Sequence, residues 1–528
     1  MNDQLSYYLA RAASGKLNRR SFLGRAAALG VTAAAANTML SSAVLAQGPR
    51  RGGHLKIGML GGESTNNLDP ALAMTQVPAL ILGTAGETLI FLAHNGDAVP
   101  LLCEEYSASP DAKTWRFKIR QGVLFHNGQT MTPEDVAQTL RRHSNEDSQS
   151  GALGVMRGIT SISVDGDSVV LETETPNADL PYLMGDWHLV IQPNGGMDDA
   201  GAGIFTGPYK MVSDEPGVRH VMERFDDYWS DARGHYDSVE ILVINNSTAR
   251  NSALQSGQVN MINRVEPRVA GLLARAPNVT VETASGRAHY IFPMHCNTAP
   301  FDNNDVRMAL KLAINREDML DRILRGYGTL GNDMPVNAAY PLFDDTIEQR
   351  VYDPDQARFH YERSGHSGPI VLRTSEVAFP GAVDAAQLFA ENAAAAGITI
   401  EVIREPGDGY WSQTWNVQPF CASYWSGRPV QDQQYSTAYL STADWNDTRF
   451  FNDRFDSLLL EARGELDLAR RKALYREVGL IVRDEGGLIC PMFNDFIDAH
   501  DQSVAGWTAN SNGDMMASQA PIHCWQAE

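Results

Sequence analysis

A strand–helix–strand pattern late in the chain is the feature that most restricts the fold. Ile370-Val371-Leu372 is a short apolar run, residues 382–396 form an Ala-rich helical stretch, and residues 398–403 carry a second β-branched run. Two strands joined by such a crossover lie parallel in one sheet, because only a connection of that length can return the chain to the starting end. The fold class is therefore α/β. Other segments agree: residues 54–59 and Trp115-Arg116-Phe117-Lys118-Ile119 alternate as strands with one buried face, and residues 218–225 and 238–245 read as further strands. Thr132-Pro133-Glu134-Asp135 opens a helix, with Thr132 as cap, Pro133 at the first helical position and two acids where the dipole favours them. Its inner face is Val136, Thr139, Leu140 and His143. After Pro300, a helix capped by Asp302 or Asn303 places Val306, Ala309, Leu310, Ala313 and Ile314 at helical spacing. A charged helix pair near 455–463 and 468–483 precedes an apolar strand at 488–493.

A chain of 528 residues, 43% hydrophobic, exceeds what one core organises and predicts several domains with at least two sheets. Lys and Arg number 43 against 64 Asp and Glu, a formal charge of -21, which leaves no chain-wide basic footprint for nucleic acid. The five cysteines (103, 296, 421, 490 and 524) are dispersed and odd in number, so they form neither a disulfide framework nor a C-x-x-C pair.

The N-terminal 46 residues read as an address. Asn18-Arg19-Arg20-Ser21-Phe22-Leu23 is followed by an Ala-rich stretch from Ala26 to Ala36 and by Val44-Leu45-Ala46 ahead of Gln47. Paired arginines, a weakly apolar segment and small residues in that order match a twin-arginine export signal cleaved near Ala46. The apolar stretch, interrupted by Asn37, is too short for a membrane span. Removing its five basic residues and one acid leaves 38 basic and 63 acidic residues, a formal -25, for a soluble, exported protein of the periplasm. The translocase of that route is then a partner during export. Because it moves folded cargo, disulfides made beforehand are disfavoured.

Catalytic spacings are missing. The chain holds no H-E-x-x-H, G-x-S-x-G, G-x-x-x-x-G-K-[ST] or G-x-G-x-x-G pattern, so no nucleophile or phosphate loop is nominated and no catalytic residue or cofactor is expected. His289 and His295 share a strand face but stand ~20 Å apart at ~3.3 Å per residue, too far for one metal ion.

Several separated segments converge on one family. Residues 115–128, Trp-Arg-Phe-Lys-Ile-Arg-Gln-Gly-Val-Leu-Phe-His-Asn-Gly, continue to Met131-Thr132-Pro133-Glu134-Asp135-Val136. Then follow Gly207-Pro208-Tyr209-Lys210, residues 254–259, Pro300-Phe301-Asp302-Asn303 with Asp305-Val306-Arg307, and Tyr352-Asp353-Pro354-Asp355-Gln356-Ala357. Together they resemble the peptide/nickel/opine class, family 5, of extracytoplasmic solute-binding proteins of ABC importers. Each motif alone reads as a turn, cap or packing surface. The resemblance implies a two-lobed periplasmic binding protein of type II, a Venus-flytrap with an extra subdomain in its first lobe. Lobe I would comprise 47–92, 204–285 and 488–528, the extra subdomain 93–203 and lobe II 286–487. Such a protein, a monomer by family expectation, traps a small solute between lobes and presents the closed form to permease subunits in the inner membrane. Closure needs a ligand that binds the closed state better than the open one.

In dipeptide- and oligopeptide-binding members an Asp after a Gly-Trp segment holds the ligand ammonium. The similar stretch here is Ser423-Tyr424-Trp425-Ser426-Gly427-Arg428-Pro429, with Arg428 in the acid's place. The arginine that pairs a peptide carboxylate would fall near Ala378-Phe379-Pro380-Gly381, which carries no charge. Both peptide anchors are lost, and a guanidinium fork favours carboxylate, phosphate or sulfate. Arg428 is expected to face the cleft and hold an anionic group of a peptide-like, opine-like or sugar-conjugate solute, with Trp425, Tyr424, Tyr410 and Trp411 stacking on its body. An ion pair of Arg428 with Asp432 is the competing reading, and core packing competes for the aromatics. Asn297, His295, Ser64 and Thr65 are further candidates. Nickel or haem-type cargo, a signalling role, and an enzyme assembled on the same scaffold stay open alternatives.

Overall fold

Two long strands organise the molecule. Val279–Pro293 and Leu488–Asp501 run antiparallel as neighbours in a nine-stranded sheet. Their pairing is regular from Val279 opposite Asp501 to Ser285 opposite Asp495, breaks, and resumes at His289 opposite Phe493, shifting once more between Tyr290 and Phe292 before Pro293 opposite Leu488. Only the apolar run 488–493 of the second strand was legible as a strand. Its continuation, Asn494-Asp495-Phe496-Ile497-Asp498, is too polar to announce itself, and long-range pairing decides it.

In this computed structural model the described residues are 48–527 apart from 74, 146–147, 157, 377, 407–409 and 444, preceded by 5, 8, 9, 17, 19–29 and 31. Arg19–Ala28 is a helix, and the cleavage point near Ala46 lies outside the described residues. Among them, no helix is long and apolar enough to cross a membrane.

On one side of the register break the sheet continues through Met261–Ile262, His54–Met59, Ser238–Val243, Arg219–Arg224 and Tyr209–Glu215. His54–Met59 is parallel to both of its neighbours. Their core holds Leu55, Ile57, Leu80, Tyr209, Val239 and Ile241. On the other side the crossing strands meet Ser423–Trp425 and Gly328–Leu330. There the parallel pair Ile370–Thr374 and Ile400–Arg404 stacks under helix Ala382–Ala394, as the strand–helix–strand pattern requires. The fold is thus α/β and two-lobed. A four-stranded antiparallel sheet built from Cys103–Ala108, Thr114–Ile119, Ser168–Thr173 and Ile159–Asp165 has its own core of Trp115, Phe117, Leu140 and Leu171. Helix Pro133–Ser144 covers it behind a capping box of Thr132 and Asp135, and Asn303 caps helix Asn304–Leu312. All five cysteines are free thiols.

Two buried carboxyls stabilise the second lobe in opposite ways. Asp333 accepts hydrogen bonds from Arg316 at 2.6 Å, Arg350 at 2.7 Å and the Cys490 backbone N–H at 3.1 Å, which ties the crossing strand to the lobe. Burial pushes its pKa up, but the two guanidinium groups outweigh that and hold it below the ordinary carboxylate value. Asp447 has no ion pair among the described residues, and the charge of Arg449 acts on it only weakly beside burial. Its Oδ2 accepts the indole N–H of Trp415 at 3.0 Å and of Trp425 at 3.3 Å, and burial pushes it up to about 7.

Asp333→Asn keeps the shape but removes the counter-charge of two buried arginines, so a loss of ~3–5 kcal/mol in urea unfolding is expected; a loss below ~1 kcal/mol would show that the charge is dispensable. For Asp447 the folded state keeps, from ~pH 4 to the folded pKa of about 7, a proton that the unfolded chain releases, so its contribution to stability falls as pH rises through that window. The melting temperature of the wild type should decline relative to Asp447→Asn between about pH 5 and pH 8. A difference independent of pH contradicts a protonated Asp447.

Candidate functional site

The break in the crossing strands leaves a cleft of about 1140 Å3 where the two lobes and the four-stranded unit meet. One wall is the helix around Ala79 to Gly83 with Glu87 and Phe91, a second is Asp179 to Trp187, and a third is Ser426 to Thr437 with Trp445. Residues Ser511 to Gln519 close the end nearest Phe496. Within that end Met515, Met516, Ala517 and Ser518 have φ of 53°, 58°, 57° and 64°, a left-handed turn. Such backbone costs roughly 1–2 kcal/mol per residue. Asp498 offsets part of this by accepting the Met515 N–H at 2.7 Å, and Gly83 makes room, since a Cβ there would lie 2.4 Å from the Ser518 carbonyl oxygen.

Polar contacts join the segment around Asp179 to the second lobe beside the cleft. Arg471 pairs with Asp179 at 2.5 Å, both side chains at most 5% exposed, and the Ala178 N–H donates to the Arg463 carbonyl at 2.7 Å. Taking both charges out of water stabilises the joined state only because each finds the other. Asp432, buried beside them, pairs with Arg463 at 3.1 Å and not with Arg428, which corrects the competing ion-pair reading of that arginine.

Arginines supply most of the cleft's positive charge, and three of five are neutralised. Arg463 has Asp432, Arg264 has Asp514 at 3.1 Å, and Arg233 lies 3.8 Å from Glu87. Glu87 also accepts from Tyr228 at 2.6 Å and Trp229 at 3.0 Å. Arg287 and Arg428 have no carboxylate within ion-pair distance among the described residues. Arg428 lines the cleft, rests 5.8 Å from the Trp425 ring centroid and donates Nη1–H to its neighbour's carbonyl, Gly427 O, at 2.9 Å. Burial lowers its pKa from the ordinary guanidinium value, and as an arginine it stays charged.

The other sequence candidates lie elsewhere. Trp425 is 5% exposed and packs with Trp415 and Trp445 at 6.4 and 6.0 Å, so of the three only Trp445 reaches the cleft wall. Tyr410 is a correction: it is 1% exposed in the second lobe's core and donates its hydroxyl to the Ala422 carbonyl at 2.7 Å, because the strand beside it needs apolar cover. Trp411 stands in the short helix Tyr410–Gln413, and its side chain lies outside the described residues. Tyr424 alternates to the opposite strand face and is half exposed. His295 is buried next to the Pro419 carbonyl, with burial pushing it down to about 4, while Asn297, Ser64 and Thr65 are exposed away from the cleft lining. These four sit in turns that follow strands, where position in sequence says little about which side faces the partner lobe.

Arg287, Trp445 and the 511–519 segment were missed. For Arg287 a signal existed: Ser285-Gly286-Arg287 interrupts an apolar strand with a flexible residue and a charge. Gly286 sits at the register break, where a Cβ would lie 2.8 Å from the Asn494 carbonyl oxygen.

Comparison with known proteins follows the same architecture. Residues 97–447 match the model of the bacterial extracellular solute-binding proteins, family 5 (middle region). The glutathione-binding protein GsiB of Salmonella typhi is 23% identical over 466 residues, 84% of this chain and 90% of that protein. The solved structure of DppA from Helicobacter pylori, in complex with the peptide STSA, superposes with a TM-score of 0.73 at 19% identity, covering 92% of this chain and all of that one. AgaA from A. tumefaciens R10, in complex with agropinic acid, gives 0.72 at 20% identity over 90% of this chain and 99% of its own. A matched segment that spans both lobes and the four-stranded unit settles the family: the chain belongs to family 5 of the bacterial extracellular solute-binding proteins, which serve ABC importers.

Proposed function

We propose that this protein is exported by the twin-arginine route, works as a monomer in the periplasm, and captures a small organic solute with an anionic group, which it delivers unaltered to its permease. The observation that carries the anionic reading is Arg428: it lines the cleft, and no carboxylate among the described residues pairs with it. A guanidinium held out of water without a counter-ion is costly, and a ligand oxyanion removes that cost only when the lobes are together. That is the differential affinity that closure needs.

The peptide ammonium anchor is replaced by Arg428, and the segment 378–381 that would hold a carboxylate partner is apolar, with Phe379 stacked on Tyr290 at 4.3 Å. An ordinary free peptide is therefore disfavoured. Opine-like and peptide-conjugate acids fit better, and similarity to a glutathione-binding protein and to an agropinic acid complex supports that chemistry. The separate hydrophobic cores support a division into lobe I (47–92, 204–285 and 488–528), the subdomain (93–203) and lobe II (286–487) in outline, except that Leu488 to Phe493 pack in the second lobe's cores.

Native mass spectrometry of gently purified protein should show the solute that co-purifies. With that solute in calorimetry, Arg428→Ala is expected to weaken binding by about 10- to 100-fold, the worth of charge-assisted hydrogen bonds, while the melting curve of the stripped protein barely moves. Unchanged affinity removes Arg428 from the site. Replacing Arg19 and Arg20 together by Lys should leave uncut precursor in the cytoplasmic fraction; normal processing would mean that the arginine pair is not read.

A further inference from the structure

Arg287 sits on the crossing strand, is 4% exposed and lines the same cleft as Arg428. The two are held together by shared neighbours. Gly427, immediately before Arg428, lies over Arg287 so closely that a Cβ would meet the Arg287 Cβ at 2.5 Å, and its φ of 84° suits glycine. Tyr340 is the common platform: its ring centroid is 5.2 Å from the Arg287 guanidinium, and its hydroxyl oxygen accepts the Arg428 backbone N–H at 3.1 Å. Burial pushes the Tyr340 phenol up to about 12, so it stays neutral and lends no negative charge.

Each guanidinium has five N–H donors. Arg287 spends its Nε–H on the Ala339 carbonyl at 2.9 Å, and Arg428 one Nη1–H on Gly427. Among the described residues no protein acceptor meets their remaining terminal N–H groups, and both side chains line the cleft. Asp186 acts on Arg428 through space, but its Oδ1 is engaged by the backbone N–H of His188 at 2.9 Å and the ring Nδ1 at 2.6 Å. A single carboxylate fills one fork and leaves the other unmatched.

Building on the reading that the cleft takes an anionic solute, we infer that Arg287 and Arg428 form one paired-guanidinium site, and that the solute bears two negative charges close together, as a phosphate monoester or a dicarboxylate does. Arg287 thereby sets specificity. Because it stands beside the register break, the ligand's second charge is read at the point where the lobes hinge.

The test is equilibrium binding of inorganic phosphate, glutarate and valerate to the mature protein at matched ionic strength, with Arg287→Gln, Arg287→Lys and Arg428→Ala beside the wild type. Glutarate, phosphate or both should bind about tenfold or more tighter than valerate, the gain expected of added charge-assisted bonds; which of the two is preferred separates dicarboxylate from phosphate. Arg287→Gln should erase that gap, and Arg287→Lys, which keeps the charge without the fork, should retain part of it. The inference is overturned if neither dianion outbinds valerate, if neither binds at all, or if the gap survives in Arg287→Gln protein whose melting curve shows it folded. Equal binding of all three probes, weakened by Arg428→Ala, leaves the anionic reading intact and removes the pairing alone. Indifference of the co-purifying solute to Arg428→Ala removes both.

Discussion

The pairing of Val279–Pro293 with Leu488–Asp501 is the constraint on which the rest depends. The two strands pair in unbroken register over Val279 to Ser285 and shift register twice beyond it, at Ser285/His289 and at Tyr290/Phe292. Gly286 allows the close backbone approach that the first break imposes. Everything around the cleft is positioned from this point: Arg287 one residue beyond the glycine, Ser423–Trp425 as the neighbouring strand, and Gly427-Arg428 as its continuation over Arg287.

Charge is then distributed with a consistent logic. Buried carboxyls with a structural task are surrounded by donors: Asp333 by Arg316 and Arg350, Asp432 by Arg463, Asp179 by Arg471. Asp447, with two indole N–H groups on its Oδ2 and no ion pair among the described residues, is pushed up to about 7 by burial. Against this background two guanidinium groups facing a cleft without a counter-ion among the described residues stand apart. A folded protein retains such groups at a stability cost when they serve something outside the chain.

How much could be read from the chain alone differed by element. The capped helix Pro133–Ser144 and the strand–helix–strand unit were legible because cap chemistry and hydrophobic periodicity are local. The full length of Leu488–Asp501 was not, since Asn494, Asp495 and Asp498 are tolerated there only by cross-strand and cleft neighbours. Among site residues, Arg428 was reached through its place in a segment resembling a known ligand-binding stretch. Tyr410 was misplaced because an aromatic that covers a strand and one that lines a cleft look alike in sequence, and the difference is the Ala422 carbonyl beneath its hydroxyl.

By itself the sequence determined the α/β class, the net acidic charge and the family resemblance, since each is written in local order, composition or motif spacing. Tertiary structure alone decided which charges meet. Arg471 found Asp179 and Arg463 found Asp432 across long stretches of chain, while Arg287 and Arg428, 141 positions apart in the sequence, were brought to one cleft with no ion-pair partner for either among the described residues. Electrostatic pairing depends on distance and burial in space, and neither is encoded in the spacing of residues along the chain.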